Sequence, residues 1–371
     1  MKKNRENSLL TLFTFISTYF LLTPSFACTN FNLKANDGSI IVGRSMEFGL
    51  PMNSNVVVYP RGEKFSSHSP KNKPGLSWTS KYGFIAMTAI EREGVTDGFN
   101  EMGFSVGFLW LPETEYQSVD DKDSARAVEI LDLGAWILSQ FSSLDEVKEN
   151  IKSIRIWGDK MPQLGKKVPP LHLIIQDIKG NSLVIEFIRG EVKIYDNPIG
   201  ILTNSPTFDW HLTNLRNYIN LTAANSKPMT INKLLLEPTG QGTGLHGIPG
   251  SWTPPDRFIR ATFFKTYAQP PKTAADGVNL AQHILNTVDI PFGDIRDIYG
   301  KNSNMDYTQW VVIKDLKNKM LYFRTYKNLT LRSIDLKQFS LGPGSGIRFM
   351  PTDSLEGNVV DVTNKIHTSK Q

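Results

Sequence analysis

Apolar and polar positions alternate in short runs along most of the chain, and the period lengthens in two places. Residues 29–35 and 39–44 each read as a strand. Asn36-Asp37-Gly38 between them is a tight-turn signal, so the pair predicts a hairpin. Asn55–Tyr59, Phe84–Ala89 and residues 104–110 are further strand-like runs. From 125 to 141 the pattern turns helical, with Val128, Leu131, Ala135 and Leu138 on one face and Ser124 as the predicted N-cap. Ser143-x-x-Glu146 is a capping box and opens a second predicted helix reaching about Ile154. Strand signals return at 171–178, Ser182–Ile188, 191–195 and 199–203, the last halted by Asn204-Ser205-Pro206. Two more helices are predicted at 256–267 and 276–288. A last hairpin joins 309–314 to 319–325, with a short strand near 331–336. Hairpins and helix pairs in this order predict antiparallel sheets with helices outside them. No repeat and no Pro- or Ser-rich linker interrupts the series, so one domain spanning 28–371 is expected.

Composition narrows the class. The 371 residues are 40% hydrophobic and 21% charged, which is neither collagen-like nor disordered. The net charge is +5, yet no run of five Lys or Arg occurs, so no nucleic-acid partner is expected. The single Cys excludes an intrachain disulfide, a Cys-rich zinc site and a Cys-x-x-Cys pair. None of the six His lies within five residues of another, and neither a metal nor a cofactor is expected. Gly240-Gln241-Gly242-Thr243-Gly244 invites a phosphate-loop reading. Pro249, Pro254 and Pro255 follow it instead of an immediate helix, and it reads as a shaped loop.

The N-terminus reads as an address. Lys2-Lys3-Asn4-Arg5 precedes an uncharged stretch from 9 to 22, and Pro24-Ser25-Phe26-Ala27 sets small residues at −3 and −1 before Cys28. A spanning helix needs about 20 apolar residues. Residues 1–27 are therefore expected to be a signal peptide, and the mature protein to be periplasmic or secreted, without stable membrane insertion. Cleavage after Ala27 makes Cys28 the N-terminal residue. Its amine would titrate at about 7.7–8.0 and its thiol at about 8.5, so the amine can take the thiol proton near neutrality. This is a nucleophile and its base in one residue. Two other readings stand beside it: a small buried hydrophobe, or the lipid acceptor of an anchored binding protein. Ser25 stands at −3, where lipid-acceptor sequences usually carry Leu.

Several segments together resemble the choloylglycine hydrolase family of conjugated bile acid hydrolases and penicillin V acylases. The likeness begins at Cys28-Thr29 and Asp37-Gly38 and includes Gly43-Arg44-Ser45-Met46-Glu47 and Asp97-Gly98-Phe99-Asn100-Glu101-Met102-Gly103. It is strongest at Leu202-Thr203-Asn204-Ser205-Pro206-Thr207-Phe208-Asp209-Trp210-His211 and Gly240-Gln241-Gly242-Thr243-Gly244-Leu245. It continues through Pro249-Gly250, Arg257-Phe258-Ile259-Arg260 and Tyr307-Thr308-Gln309-Trp310. The resemblance implies an N-terminal nucleophile hydrolase of α+β class, an αββα four-layer sandwich of two antiparallel sheets covered by helices.

The resemblance also implies roles. Cys28 would attack an amide carbonyl and pass through an acyl thioester. Arg44 would be the cation beside the nucleophile and Arg257 a second arginine near the site. Asn204 would hold the oxyanion. Glu47 stands where the family usually has Asp, which orients the N-terminal amine. Trp110 stands where many bile salt hydrolases have Asn, and an indole cannot replace the amide's hydrogen-bonding groups. Its ring is expected to wall the pocket, joined by Phe48, Leu50, Met52 and Phe208 as substrate-binding residues. The expected substrate is a small amphipathic acyl amide. Glycine- or taurine-conjugated bile acids come first, and penicillin V or N-acyl homoserine lactones are the alternative. Members of the family often form tetramers, so the resemblance implies a homo-oligomer.

Overall fold

Asp-Gly turn chemistry opens the fold. The computed structural model describes residues 27–90, 92–297 and 304–354; residues 1–26, nearly all of the expected signal peptide, lie outside them. Strand β1 (Cys28–Lys34) pairs antiparallel with β2 (Ile40–Phe48), from Cys28 opposite Met46 to Lys34 opposite Ile40. At the turn, Gly38 takes φ +81°, and the Asp37 carboxylate accepts the Ser39 N–H at 2.9 Å.

These two strands sit inside an antiparallel sheet ordered Ile201–Leu202, β1, β2, Asn304–Asp315, Met320–Thr325, Arg332–Asp335, with Ile295–Asp297 pairing at one end of the Asn304–Asp315 strand. A second antiparallel sheet runs Glu191–Asp196, Ser182–Ile188, Leu171–Gln176, Ser105–Trp110, Arg92–Asn100, Phe84–Ala89, Asn55–Tyr59, Arg348–Pro351. The helices are α1 (Ile130–Gln140), α2 (Leu144–Asn150), α3 (Phe208–Leu215), α4 (Pro254–Tyr267) and α5 (Ala274–Asn286). Helix α1 buries Leu133, Trp136 and Ile137 against Phe104, Val106 and Phe108 of the second sheet. Helices α4 and α5 cover the outer face of the first sheet, α4 on β1 and α5 on β2. The expected αββα sandwich of α+β class is the fold that forms. Among the described residues no helix is long and apolar enough to cross a membrane.

The period of two assigns each side chain of β1 and β2 to a layer. Cys28 and Asn30 face the second sheet, where Gln176 Nε2 donates to Asn30 Oδ1 at 3.0 Å. Thr29 faces α4, and Arg257 Nη1 donates to its hydroxyl at 2.7 Å. On β2, Arg44 and Met46 turn inward to the Cys28 thiol. Gly43 points outward, and a Cβ there would lie 2.6 Å from the Phe31 ring. The first sheet thus has a polar inner stripe, and that stripe carries the chemistry.

Two local differences from the sequence expectations have physical causes. The first helix begins at Ile130 rather than near 125. Residues Ala127–Glu129 pair in parallel with Arg155–Trp157, and a backbone committed to that ladder cannot start a helix. Glu129, not Ser124, is the N-cap and accepts the Leu131 N–H at 2.9 Å. Helix α3, not anticipated, follows directly on Asn204-Ser205-Pro206. The capping box at Ser143 and Glu146 forms as read.

Candidate active site

Cys28 begins β1 with its thiol buried between the sheets. Its backbone nitrogen donates to Asn204 Oδ1 at 2.6 Å. Its Sγ lies 3.7 Å from Arg44 Nη2 and 3.7 Å from Met46 Sδ. Four of the five residues read as catalytic therefore meet directly: Cys28, Arg44, Asn204 and Arg257. Arg257, fully buried on α4, donates through Nη1 to the Cys28 carbonyl and through Nη2 to Asn204 Oδ1 at 2.8 Å, while Nε donates to Trp252 O at 2.9 Å. A guanidinium offers five donors in a rigid plane, so this one residue ties α4 to both ends of the site.

Glu47, the fifth, is fully buried beside them. Its Oε1 accepts the Thr308 hydroxyl at 3.0 Å. Burial pushes its pKa up to about 8, against the pull of Arg257. Burial also pushes the Cys28 thiol up. Arg44 opposes this, the Glu47 charge adds to it, and the Glu47 backbone N–H and Arg257 work against it. Burial lowers Arg257 itself to about 10, which leaves it charged at neutral pH.

Asn204 is held more firmly than its resemblance-implied role suggests. Its Nδ2 donates to the Trp110 carbonyl at 2.9 Å, while its Oδ1 accepts from two donors. Two buried histidines grip the backbone on either side of its Cα: His172 Nε2 at 2.9 Å from Thr203 O, and His211 Nε2 at 2.9 Å from Asn204 O. A ring nitrogen facing a carbonyl must carry the proton. Burial depresses His211 to about 4, so it is neutral and its Nε2 tautomer is fixed. His172 Nδ1 in turn meets Glu186 Oε1 at 3.2 Å, and Phe208 N–H donates to the same oxygen. Residue-by-residue reading missed both histidines. Only the presence of His211 in the matched 202–211 segment pointed to one of them.

The thiol opens on an apolar cavity of about 620 Å³, its open mouth included. Met46, Phe48 and Met52 wall it from β2 and the loop beyond, Trp110 and Leu131 from the second sheet and α1, and Met161 and Leu164 from a surface loop. Phe48 and Trp110 meet with ring centroids 6.2 Å apart. Two expected substrate residues do not line this cavity. Phe208 is fully buried in the core against Tyr195 and Phe258, because its position at the start of α3 turns it inward. Leu50 packs on the core, and its backbone carbonyl accepts from Gln309 Nε2 at 2.6 Å. Gln309 lies in the matched 307–310 segment, but no role was expected of it. It bulges out of the Asn304–Asp315 strand, binds Phe48 O at 2.7 Å and receives the Met52 N–H at 2.9 Å, so it pins the loop that walls the cavity. Among the described residues no group of three His, Cys, Asp or Glu is arranged to hold a metal ion.

Comparison with known proteins places the chain in a family. The family described as linear amide C–N hydrolases, choloylglycine hydrolase family, matches residues 28–360. The bile salt hydrolase/transferase of Clostridium perfringens is 34% identical over 320 residues, 85% of this chain and 94% of that protein. The penicillin V acylase of Pectobacterium atrosepticum is 27% identical, over 87% of this chain and 84% of its own. A crystal structure of a variant of the Clostridium perfringens conjugated bile acid hydrolase superposes with a TM-score of 0.78 at 31% identity, covering 91% of this chain and all of that one. This chain belongs to the choloylglycine hydrolase family of linear amide C–N hydrolases.

Proposed function

We propose that the chain is exported, cut after Ala27, and hydrolyses conjugated bile acids with Cys28 as nucleophile. The observation that carries this is the position of one residue: the nitrogen and sulfur of Cys28 lie together at the wall of an apolar cavity, each held by a named partner. While Ala27 is attached, the Cys28 nitrogen is an amide and has no basicity. Once freed, the amine accepts the thiol proton, and the thiolate attacks the amide carbonyl carbon. The C–N bond then breaks, and the proton passes from the ammonium to the departing glycine or taurine nitrogen. Water hydrolyses the thioester and restores the thiol. Asn204 Nδ2 has two hydrogens, one of them given to Trp110 O. The other is the oxyanion donor in this reading, and such a donor is worth about 2.7–4 kcal/mol. Arg44 favours the thiolate. Glu47 and Arg257 orient the amine end.

The carbon and sulfur lining of the cavity suits a hydrophobic acyl group such as a steroid. The relationship to the Clostridium perfringens enzyme supports the same choice. Acylase action on penicillin V or acyl homoserine lactones is the second reading, favoured by the Trp110 ring against Phe48. Attachment of a lipid to Cys28 is disfavoured, since the thiol is buried beside Met46 and Arg44. The hairpin Met229–Ile231 and Leu234–Leu236 exposes Met229, Ile231, Leu234, Leu235 and Leu236, which supports a homo-oligomer, a tetramer by family likeness.

The test is turnover of glycocholate, taurocholate, penicillin V and a long-chain acyl homoserine lactone by the exported protein and its Cys28→Ala variant. Release of glycine and taurine, abolished at least a thousandfold in the variant, is expected. Cleavage of penicillin V with glycocholate untouched would move the assignment to the second reading. Full activity of Cys28→Ala would end the nucleophile assignment.

A further inference from the structure

Between the sheets, next to Arg44, lies a buried ion pair that the hydrolytic scheme above does not use. Lys314, on the Asn304–Asp315 strand, is fully buried, and its Nζ sits 2.7 Å and 2.8 Å from the two carboxylate oxygens of Asp97. Asp97, on the Arg92–Asn100 strand, is fully buried as well. Arg44 comes no nearer to that carboxylate than 3.9 Å, through Nε, while its Nη2 faces the Cys28 thiol. Among the described residues Arg44 Nε and Nη1 make no hydrogen bond.

The register explains the meeting. Lys314 pairs with Val42 and Val312 with Arg44, so Lys314 and Arg44 are diagonal neighbours on the inner face of the first sheet. Asp97 reaches them across Gly107, where a Cβ would lie 3.0 Å from Asp97 Oδ2 and 3.2 Å from Arg44 Nη1. Two cations and one anion are thus enclosed in one layer. A buried carboxylate left without a cation is strongly destabilising, so it holds whichever cation reaches it best. Lys314 lies against both oxygens and hydrogen-bonds Oδ2, and the Arg44 charge is left over.

We infer that Lys314 is a positioning residue for the nucleophile: by occupying Asp97 it leaves the Arg44 guanidinium free to face Cys28, so that the surplus positive charge of the trio is the counter-charge of the thiolate. This rests on the reading of Cys28 as nucleophile. The other charged groups facing the thiol are Glu47 on the same strand and Arg257 on α4, and Glu47 itself faces Arg257 and Asp289. None of these touches Asp97 directly. Lys314 faces Asp97 and Arg44.

One loss and one restoration test the inference. Lys314→Met leaves the Asp97 charge to Arg44 alone, cancels the surplus and disfavours the thiolate. Asp97→Asn removes the partner that keeps Lys314 charged against its burial, so Lys314 gives up its proton and Arg44 still carries the one surplus charge. The measurement is the pH dependence of Cys28 alkylation by iodoacetamide in the exported enzyme, read beside kcat and KM. The midpoint is expected to rise by about one pH unit in Lys314→Met and to stay near the wild-type position in Asp97→Asn. In the double variant, which keeps the single surplus charge of Arg44, it should return toward the wild-type position. At neutral pH kcat of Lys314→Met should drop roughly tenfold with KM little changed, because the cavity walls are untouched. Lys314→Arg should keep the midpoint. A midpoint that stays put in Lys314→Met, rises equally in Asp97→Asn or stays raised in the double variant would overturn the inference. If Lys314→Met does not fold, Lys314→Gln decides in its place, with the same rise expected. Alkylation that left hydrolysis intact would instead count against Cys28 as nucleophile.

Discussion

At the scale of one residue, Glu47 shows what burial does to a carboxylate. Its side chain ends in a fully buried pocket where Thr308 is a hydrogen-bond donor to one oxygen and Arg257 is the main opposing charge. Desolvation wins over that cation, and the folded pKa rises from its ordinary 4.5 to about 8. The folded chain therefore holds a proton that the unfolded chain releases between these two values. A raised pKa gives a stability contribution that is complete below about 4.5 and is lost as pH climbs through 8. The melting temperature of the wild type should accordingly fall more steeply from pH 5 to pH 8 than that of Glu47→Gln, by a difference of roughly a few degrees. Comparing the two slopes matters, because Glu129 is raised to about 7 by burial and adds the same sign to both proteins. Parallel melting curves would show that Glu47 is ionised throughout, with Arg257 outweighing desolvation.

At the scale of elements, a single bulge joins the first sheet to the cavity wall. The register of Asn304–Asp315 against β2 slips between Thr308 and Trp310, and the extra residue, Gln309, makes three hydrogen bonds to Phe48, Leu50 and Met52. A loop with Gly49 and Pro51 in it has little secondary structure of its own, so these bonds set where Phe48 and Met52 face the substrate. Gln309→Ala should raise KM for the acyl substrate about tenfold and move kcat less, since each lost buried hydrogen bond is worth about 1 kcal/mol. Unchanged KM would mean the loop holds its shape without Gln309. The same elements show what a sequence can reveal. Asn55–Tyr59 and Phe84–Ala89 were readable because runs of Val, Ile and Phe end abruptly at turn residues. The start of α1 was not, because Ala127–Glu129 is claimed by a partner some 28 positions away, Arg155–Trp157, that no local pattern announces. Cys28 was singled out by its place after the expected cleavage site, and Arg44, Asn204 and Arg257 through motif likeness. Lys314 and His172 escaped it, each being an ordinary polar residue in a strand until the second sheet or the Asn204 turn arrives opposite.

At the scale of the whole molecule, the proposed activity depends on a cut after Ala27, and the surroundings of Cys28 are already formed in the uncut chain. With Ala27 attached, Cys28 N–H already donates to Asn204 Oδ1 at 2.6 Å, and Ala27 itself is 3% exposed. Removing residues 1–27 would leave an amine at this same nitrogen, where Asn204 can accept one of its hydrogens, so the sandwich can form before cleavage and needs no rearrangement afterwards. What changes is proton chemistry: an amide cannot take the thiol proton, and burial holds the thiol up in its neutral form. The precursor should therefore be folded and inert. Intact mass of the exported protein should match a chain starting at unmodified Cys28. Replacing Ala27 with Arg, to block cleavage, should give a folded protein of full-length mass with turnover reduced at least a hundredfold. A fully active uncut chain would mean that some other group takes the thiol proton, with Glu47, the carboxylate whose charge acts on the thiol, the first candidate. A lipid-sized increment on Cys28 would mean that both its amine and its thiol are consumed, and the proposed chemistry could not run.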